Sequence, residues 1–299
     1  MNLKPILLSV LITIPAFAAP NATPYADITK LEAAAAQGDA EAQFLLGRAY
    51  TNGDGVPHDD AKAVAWYEKA AAQGNPKAEN NLGSAYLDGT GVPVDQAAAA
   101  GWYRKAAAQG AVLAQYSLAR LYAKGTGVPK DNKQAADWYG KAAAQGYAPA
   151  QAALGELYYF GAEGIPKDQA AAVKWVTLAA AQGNVWAENT LGVIYRNGIG
   201  TKADPAQAVV WYRKAAEQGD PKAESNLGDM YAQGLGVGQS WAEAYAWLSL
   251  VKVGGEVTAA KRLATYQDNF TPGVIAAGKQ LAAKHRLEIQ ANKGATQAE

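Results

Sequence analysis

Cysteine is absent from all 299 residues, which excludes disulfides, thiolate chemistry and Cys-ligated zinc together. Histidine is nearly absent as well. His58 and His285 stand too far apart in sequence to suggest a histidine metal site, so no metal and no cofactor is expected. No charge of either sign is in excess, because 27 basic and 27 acidic side chains cancel. A nucleic-acid protein needs surplus cations to displace counterions, and a polybasic membrane binder needs the same surplus, so both classes are disfavoured. The leading apolar run, Ile6 to Ile14, is too short to span a bilayer as a helix.

That run belongs to a segment of its own, MNLKPILLSVLITIPAFAAP. One positive charge at Lys4 precedes the apolar stretch, and Ala16-Phe17-Ala18 closes it. Small residues at the −3 and −1 positions mark a secretory cleavage site after Ala18. Residues 1–18 therefore read as a signal peptide. With no Cys to carry a lipid anchor, the mature chain from about Ala19 is expected in the periplasm or secreted, without membrane insertion.

What is present is a repeat. Gly38, Gly74, Gly110, Gly146, Gly183 and Gly219 follow one another at intervals of 36, 36, 36, 37 and 36 residues. Tyr50, Tyr86, Tyr122, Tyr158, Tyr195 and Tyr231 keep the same intervals, as do Trp66, Trp102, Trp138, Trp175, Trp211 and Trp247. The single 37 comes from one extra residue in the loop GAEGIP, where other units have GTGVP. Three residue series in step establish a repeat architecture.

Each unit holds two helical patterns. The first starts after Asn75 or Asp220, each followed by Pro, the expected cap and first helical residue. Ala78, Leu82, Ala85 and Tyr86 then recur at three and four to form one buried stripe, and Gly83 lets a neighbouring helix approach. GTGVP ends that helix, its glycines being free to take positive φ. Asp59, Asp95, Asp131, Asp168 and Asp204 stand where the second helix needs its N-cap. The second helix carries the Ala-rich run and the Trp-Tyr pair, and its Trp66, Trp102, Trp138 and Trp211 are expected in the core.

A single hairpin of this kind cannot bury its own apolar face, whereas stacked hairpins can, in a superhelical array. Residues 19–38 supply an N-terminal capping helix and residues 39–254 about six units. Residues 255–290 supply two amphipathic C-terminal capping helices, the second with Thr271 as N-cap and Pro272 first; residues 291–299 read as an unfolded tail.

The motifs A-E-x-x-L-G-x-x-Y, G-x-G-V-P-x-D and A-x-x-W-Y-x-K-A-A-x-Q-G at 36 residues resemble those of Sel1-like repeat proteins, over roughly Asp39 to Gly254. The resemblance implies an all-α, right-handed α/α superhelical solenoid that binds protein partners, often in the bacterial cell envelope. Some exported members of the family carry disulfides in each repeat, which this chain lacks.

Relatives proposed to act on β-lactams prompt a search for Ser-x-x-Lys, which finds Ser249-Leu250-Val251-Lys252. The Ser-Asp-Asn and Lys-Thr-Gly partners of that chemistry do not occur, so the match reads as a varied helix face, and no catalytic residue is assigned. Glycine strings such as GLGVGQS at 234–240 sit in inter-helix loops with no G-K-[ST] after them, unlike a phosphate loop.

If the repeated residues build the stack, partner information sits in what varies. Residues three, seven, ten and fourteen places after each boundary Gly share a first-helix face opposite the buried stripe. Around the fourth unit this region concentrates Tyr116, Tyr159, Phe160 and Trp186, flanked by Arg120 and Arg196, the residue types that dominate interfaces. Tyr147, Tyr159 and Phe160 equally fit a packing role around the Glu163 insertion. Asn81 and Asn226 can hydrogen-bond an extended chain. The leading expectation is a monomeric, non-catalytic scaffold for a protein or peptide partner. Its alternatives are a periplasmic immunity protein against a secreted toxin, such as a phospholipase, and a weak β-lactam hydrolase using Ser249 and Lys252.

Overall fold

The structure is a computed structural model that describes residues 27–251 and 257–298. Residues 1–18, expected as a signal peptide, and Lys252 thus lie outside the described residues. A leading helix α1 (Ile28–Ala36) precedes six hairpins. Their first helices are α2 (Ala40–Asn52), α4 (Pro76–Asp88), α6 (Val112–Lys124), α8 (Ala148–Phe160), α10 (Val185–Asn197) and α12 (Pro221–Gln233). Their second helices are α3 (Asp60–Ala72), α5 (Gln96–Ala108), α7 (Asn132–Ala144), α9 (Gln169–Ala181), α11 (Pro205–Glu217) and α13 (Trp241–Leu250). Each helix packs mainly on its neighbours in sequence, which makes the array an all-α solenoid.

Local chemistry sets the boundaries. The carboxylate of Asp59 accepts the Lys62 amide at 2.9 Å, and Asp95, Asp131, Asp168 and Asp204 cap their own helices in the same way. Each such cap is worth about 1 kcal/mol. At the other end the first helices stop on left-handed glycines, for example Gly89 at φ 77°. The second glycine of the loop has a different reason to be glycine. At Gly127, also at positive φ, a Cβ would collide with the Gln96 carbonyl of the preceding unit. In the GAEGIP loop a short bridge, Ala162 to Ile165 in both directions, absorbs the extra residue.

Inside each hairpin a ring of the second helix lies on a small residue of the first. Tyr67, Tyr103 and Tyr212 pack on Gly47, Gly83 and Gly192, and a Cβ placed at Gly83 would lie 2.7 Å from the Tyr103 ring. These tyrosines are buried. In the fourth unit Val176 takes the ring's place over Gly155, and Leu248 does so over Gly228 in the sixth.

A glutamine ladder, one rung in each of the first five hairpins, ties the end of the second helix to the first helix of the same hairpin. Gln73 donates to Gln43 at 2.9 Å, Gln109 to Glu79 at 2.8 Å, Gln145 to Gln115 at 2.8 Å, Gln182 to Gln151 at 2.8 Å and Gln218 to Glu188 at 2.8 Å. Gln73, Gln145 and Gln218 also reach the carbonyls of Gly38, Gly110 and Gly183. The Gln before each boundary glycine thus satisfies buried acceptors that would otherwise cost free energy. Where the acceptor is a carboxylate, burial pushes Glu79 and Glu188 above the usual range despite the glutamine's opposing hydrogen bond.

The Trp-Tyr pair does not act as one core element. Trp66, Trp102, Trp138 and Trp211 are half-buried, not core, and Lys69, Lys105, Lys141 and Lys214 lie over their rings at 3.7, 3.9, 3.6 and 4.2 Å. Consecutive residues on a helix point about 100° apart, so only the Tyr of each pair faces inward. Trp247 is the exception at 1% exposure, because the C-terminal cap covers it.

That cap consists of α14 (Val257–Thr265), a short 3₁₀ turn and α15 (Pro272–Ala298). The tail expectation requires a correction, since α15 continues through residues 291–298 as helix. ANKGATQA contains no proline, and the Asn292 amide donates to the Glu217 carbonyl at 3.3 Å. On α15, buried His285 stacks on Trp247 at 4.2 Å and meets Glu243 of α13 at 3.0 Å. It also meets Glu288 at 3.3 Å. Burial alone pulls the imidazole pKa down, but the two carboxylates outweigh it and leave it raised. The His285 hydrogen bond lowers Glu243 against the opposing effect of burial, with the charge of Arg213 adding to the lowering.

Two outcomes follow for stability. Gly83→Ala should be close to neutral, because a helix-propensity gain of about 1 kcal/mol offsets the crowding and Ala119 already faces Tyr139 in the third unit. Gly83→Val should lose more than about 2 kcal/mol by overpacking, read as a fall in thermal midpoint. A Val variant as stable as wild type would show that the ring contact does not limit hairpin closure. For the cap, a raised His285 pKa gives stability that is present below about pH 6.5 and fades as pH rises through the folded-state value. A lowered Glu243 gives stability above about pH 4.5 that is lost on acidification. The His285 contribution should therefore peak between these limits and disappear in His285→Gln, as followed by hydrogen exchange of α15.

Candidate functional site

Among the described residues, the first-helix face carries grooves at three places. The first, about 240 Å³, lies between α2, α3 and α4 and is lined by Thr51, Asp60, Tyr67, Asn81, Ser84 and Asp88 among others. The second, about 160 Å³, is bounded by Leu87, Tyr103, Ser117, Arg120, Lys124 and Thr126. The third, about 310 Å³, opens between α10, α12 and α14, over Asn189, Val193, Lys222, Ser225, Asn226 and Arg262. Tyrosine hydroxyls reach the first two grooves from below. Thr51 and Tyr67 hydroxyls stand 3.0 Å apart, and those of Ser84 and Tyr103 2.9 Å apart.

The structure distributes the residues singled out from sequence among three neighbourhoods. Asn81 is half-buried in the first groove and accepts from the Asn80 amide at 3.4 Å. Arg120 is exposed in the second, with its guanidinium 5.8 Å from the centre of the Tyr116 ring. Tyr116 itself is half-buried between Tyr139 at 5.6 Å and Tyr147 at 5.2 Å. Burial, reinforced by the neighbouring Tyr116, raises the Tyr147 pKa against the charge of Arg120.

Tyr159, Phe160 and Trp186 form the second neighbourhood. Tyr159 meets the Phe160 ring edge-on at 4.8 Å, and together with Trp186 packs against the core around Val176 and Leu191. Tyr159 thus brings an aromatic to the one hairpin whose second helix offers valine. Phe160 is different, being 57% exposed.

Arg196 and Asn226 belong to the third neighbourhood, a polar network rather than an open surface. Arg196 pairs with buried Asp229 at 2.7 Å. Asp229 also accepts from the Tyr266 hydroxyl and lies 3.7 Å from Arg262. Arg262 donates to Ser225 at 2.6 Å and to Asn226 at 3.2 Å, while Asn226 donates to Asn189 at 3.1 Å. Desolvation would raise the Asp229 carboxyl, but Tyr266, Arg196 and Arg262 hold it below the usual range. The same surroundings leave Tyr212 pushed up to about 12, chiefly by burial.

Sequence reasoning missed Arg262 and Tyr266, which lie past the last repeat where no period flags them. It also missed the groove-lining hydroxyls of Tyr67 and Tyr103, because the Trp-Tyr pair reads as core. Of the Ser-x-x-Lys match, the Ser249 hydroxyl donates to the Ala246 carbonyl at 2.9 Å, and Lys252 lies outside the described residues. No described helix is long and apolar enough to cross a membrane.

Removing the shared anion should have a large effect. Asp229→Asn strands two guanidinium groups in a part-buried site and should cost about 3–5 kcal/mol. The expected readouts are a lower thermal midpoint and faster hydrogen exchange in α14. An unchanged midpoint would mean that the two arginines find water or other acceptors.

Comparison with known proteins agrees with the repeat. The Sel1 repeat matches at residues 40–75, 76–110, 112–147, 148–184, 187–220 and 221–250. A Sel1 repeat protein from Oxalobacter formigenes is 36% identical, over 79% of this chain and 68% of that one, with a TM-score of 0.66. The c5321 protective antigen of uropathogenic Escherichia coli strains is 30% identical, over 88% and 72%, with a TM-score of 0.40. The immunity protein Pa5087 from Pseudomonas aeruginosa is 20% identical, over 82% and 83%, with a TM-score of 0.41. No curated protein sequence matches the chain. Six matched units on a solenoid of stacked hairpins make this chain a member of the Sel1 repeat family, whose repeats serve as protein-interaction scaffolds.

Proposed function

We propose that the chain is an exported, non-catalytic scaffold that binds a protein or peptide partner along its first-helix face. One observation carries the reading. The residues that recur in every unit are used up in caps, ring contacts and the glutamine ladder, whereas the grooves are lined largely by positions that differ between units. A face with different chemistry at each step selects a partner by sequence. The leader Met1 to Ala18 supports export, and placement in the periplasm follows from the same reading.

Exposed apolar side chains on that face provide the test. Phe160 is 57% and Leu113 51% exposed, so replacing both with Ala should leave the thermal midpoint unchanged. Mature protein used as bait in the periplasmic extract of its own host should retain a stoichiometric partner. The double variant should bind it about tenfold or more weakly, as expected for truncated aromatic contacts. Equal retention by both baits would place binding on another face.

A further inference from the structure

The first and second grooves are adjacent and carry opposite charge. Helices α4 and α6 are neighbours, and Tyr103 from α5 stands between the two pockets. On one side lie Asp60 and Asp88, with the hydroxyls of Thr51 and Ser84. On the other lie Arg120 and Lys124, with the hydroxyls of Ser117 and Thr126 and apolar walls from Leu87 and Leu121. The Tyr103 hydroxyl registers both fields. Burial raises its pKa most, Asp88 adds to the rise, and Arg120 opposes it.

These charges are not consumed by the fold. Among the described residues neither Arg120 nor Lys124 has an acidic group within ion-pair distance, and Asp88 has no cation. Asp60 meets only His58, at 3.3 Å. The contrast with the third groove is informative. There Arg196 and Arg262 are neutralised by Asp229, as expected of charges with a structural duty. A neutral protein that leaves two cations open in one pocket and a carboxylate open in the next has a surface complementary to a ligand with both signs.

We propose that units one to three bind an extended peptide segment carrying one anionic and one cationic side chain, the anion seated between Arg120 and Lys124 and the cation between Asp60 and Asp88. Neighbouring helices lie about 8–10 Å apart, and an extended chain in the polyproline-II form advances about 3.1 Å per residue and returns to the same face every third residue. The two charged side chains therefore stand about three residues apart. The carboxylate pocket fixes which way a given segment lies, because the opposite chain direction would place like charges together in both pockets. This inference rests on the reading of the first-helix face as the binding face, and it names the chemistry of the segment held there.

Fluorescein-labelled ten-residue Ser/Gly peptides provide the probe. They carry Lys and Glu three residues apart in either order, Lys alone, Glu alone, or no charge, and binding is followed by anisotropy at low salt. The two-charge peptides should bind best, the Glu-only peptide about tenfold less well, and added salt should weaken both. The Arg120→Glu/Lys124→Glu variant should lose that preference. The variant that also carries Asp88→Lys should regain the preference for two-charge peptides, a rescue that simple misfolding does not produce. Wild-type protein binding no peptide below about 1 mM, binding the two-charge peptides no better than the Glu-only peptide, or keeping its preference after the Arg120→Glu/Lys124→Glu change would overturn the inference. If the partner is lost on Phe160→Ala/Leu113→Ala yet the charge variants retain it, the binding face stands and only the zwitterionic segment fails.

Discussion

Everything in this molecule depends on how closely two helices of a hairpin can approach. The approach is set by a ring from the second helix lying on a residue with little or no side chain in the first, as Tyr103 lies on Gly83 and Tyr212 on Gly192. The contact does two jobs. It buries a large aromatic, worth about 2 kcal/mol or more, and it leaves the tyrosine hydroxyl at the groove floor, where Ser84 and Thr51 receive it. One choice of residue thus closes the core and furnishes the binding surface. The fourth unit shows the dependence by exception, since Val176 is too short to reach the groove and Tyr159 brings an aromatic from the first helix.

Stacking requires a second device, because apolar burial alone does not fix the register of one hairpin on the next. The acceptors of the glutamine ladder supply it, since Gln43, Gln115 and Gln151 donate in turn to the Ala35, Ala107 and Ala143 carbonyls of the preceding helix at 3.1, 3.3 and 3.2 Å. Each Gln before a boundary glycine finds its acceptor about thirty residues back, on the first helix of its own hairpin, and a slip of one turn would leave that buried acceptor amide unpaired. The ladder tolerates Glu at Glu79 and Glu188 because the glutamine donates to a carboxylate as readily as to an amide. The cost appears as raised carboxyl pKa values rather than as a broken ladder.

The open end of the stack is closed by different chemistry. The sixth unit has no seventh hairpin to cover Trp247, and α15 covers it instead, with His285 stacked on the indole and tied to Glu243. On the groove side α14 brings Arg262 into the Asp229 site, which already holds Arg196. A charge network therefore stands in for the repeated apolar contact where the repeat ends. Such a network is directional, which suits a junction that must accept one cap and no further unit.

The sequence by itself determined the helix pairs, their caps, their period and the solenoid they form, because those depend on spacing within about forty residues. Asp59 can be read as a cap and Gly83 as a close approach without coordinates. It also located the face that varies, through Asn81, Arg120 and Phe160. It did not separate roles on that face. Arg120 and Arg196 look alike in a list, yet one is open and the other neutralised by a residue in the next unit. Nor did it distinguish the Trp from the Tyr of each pair, or extend the last helix through residues 291–298. Only the tertiary structure decided these points. Whether a charge is free depends on what lies within about 4 Å, and those neighbours come from residues a full repeat or more away.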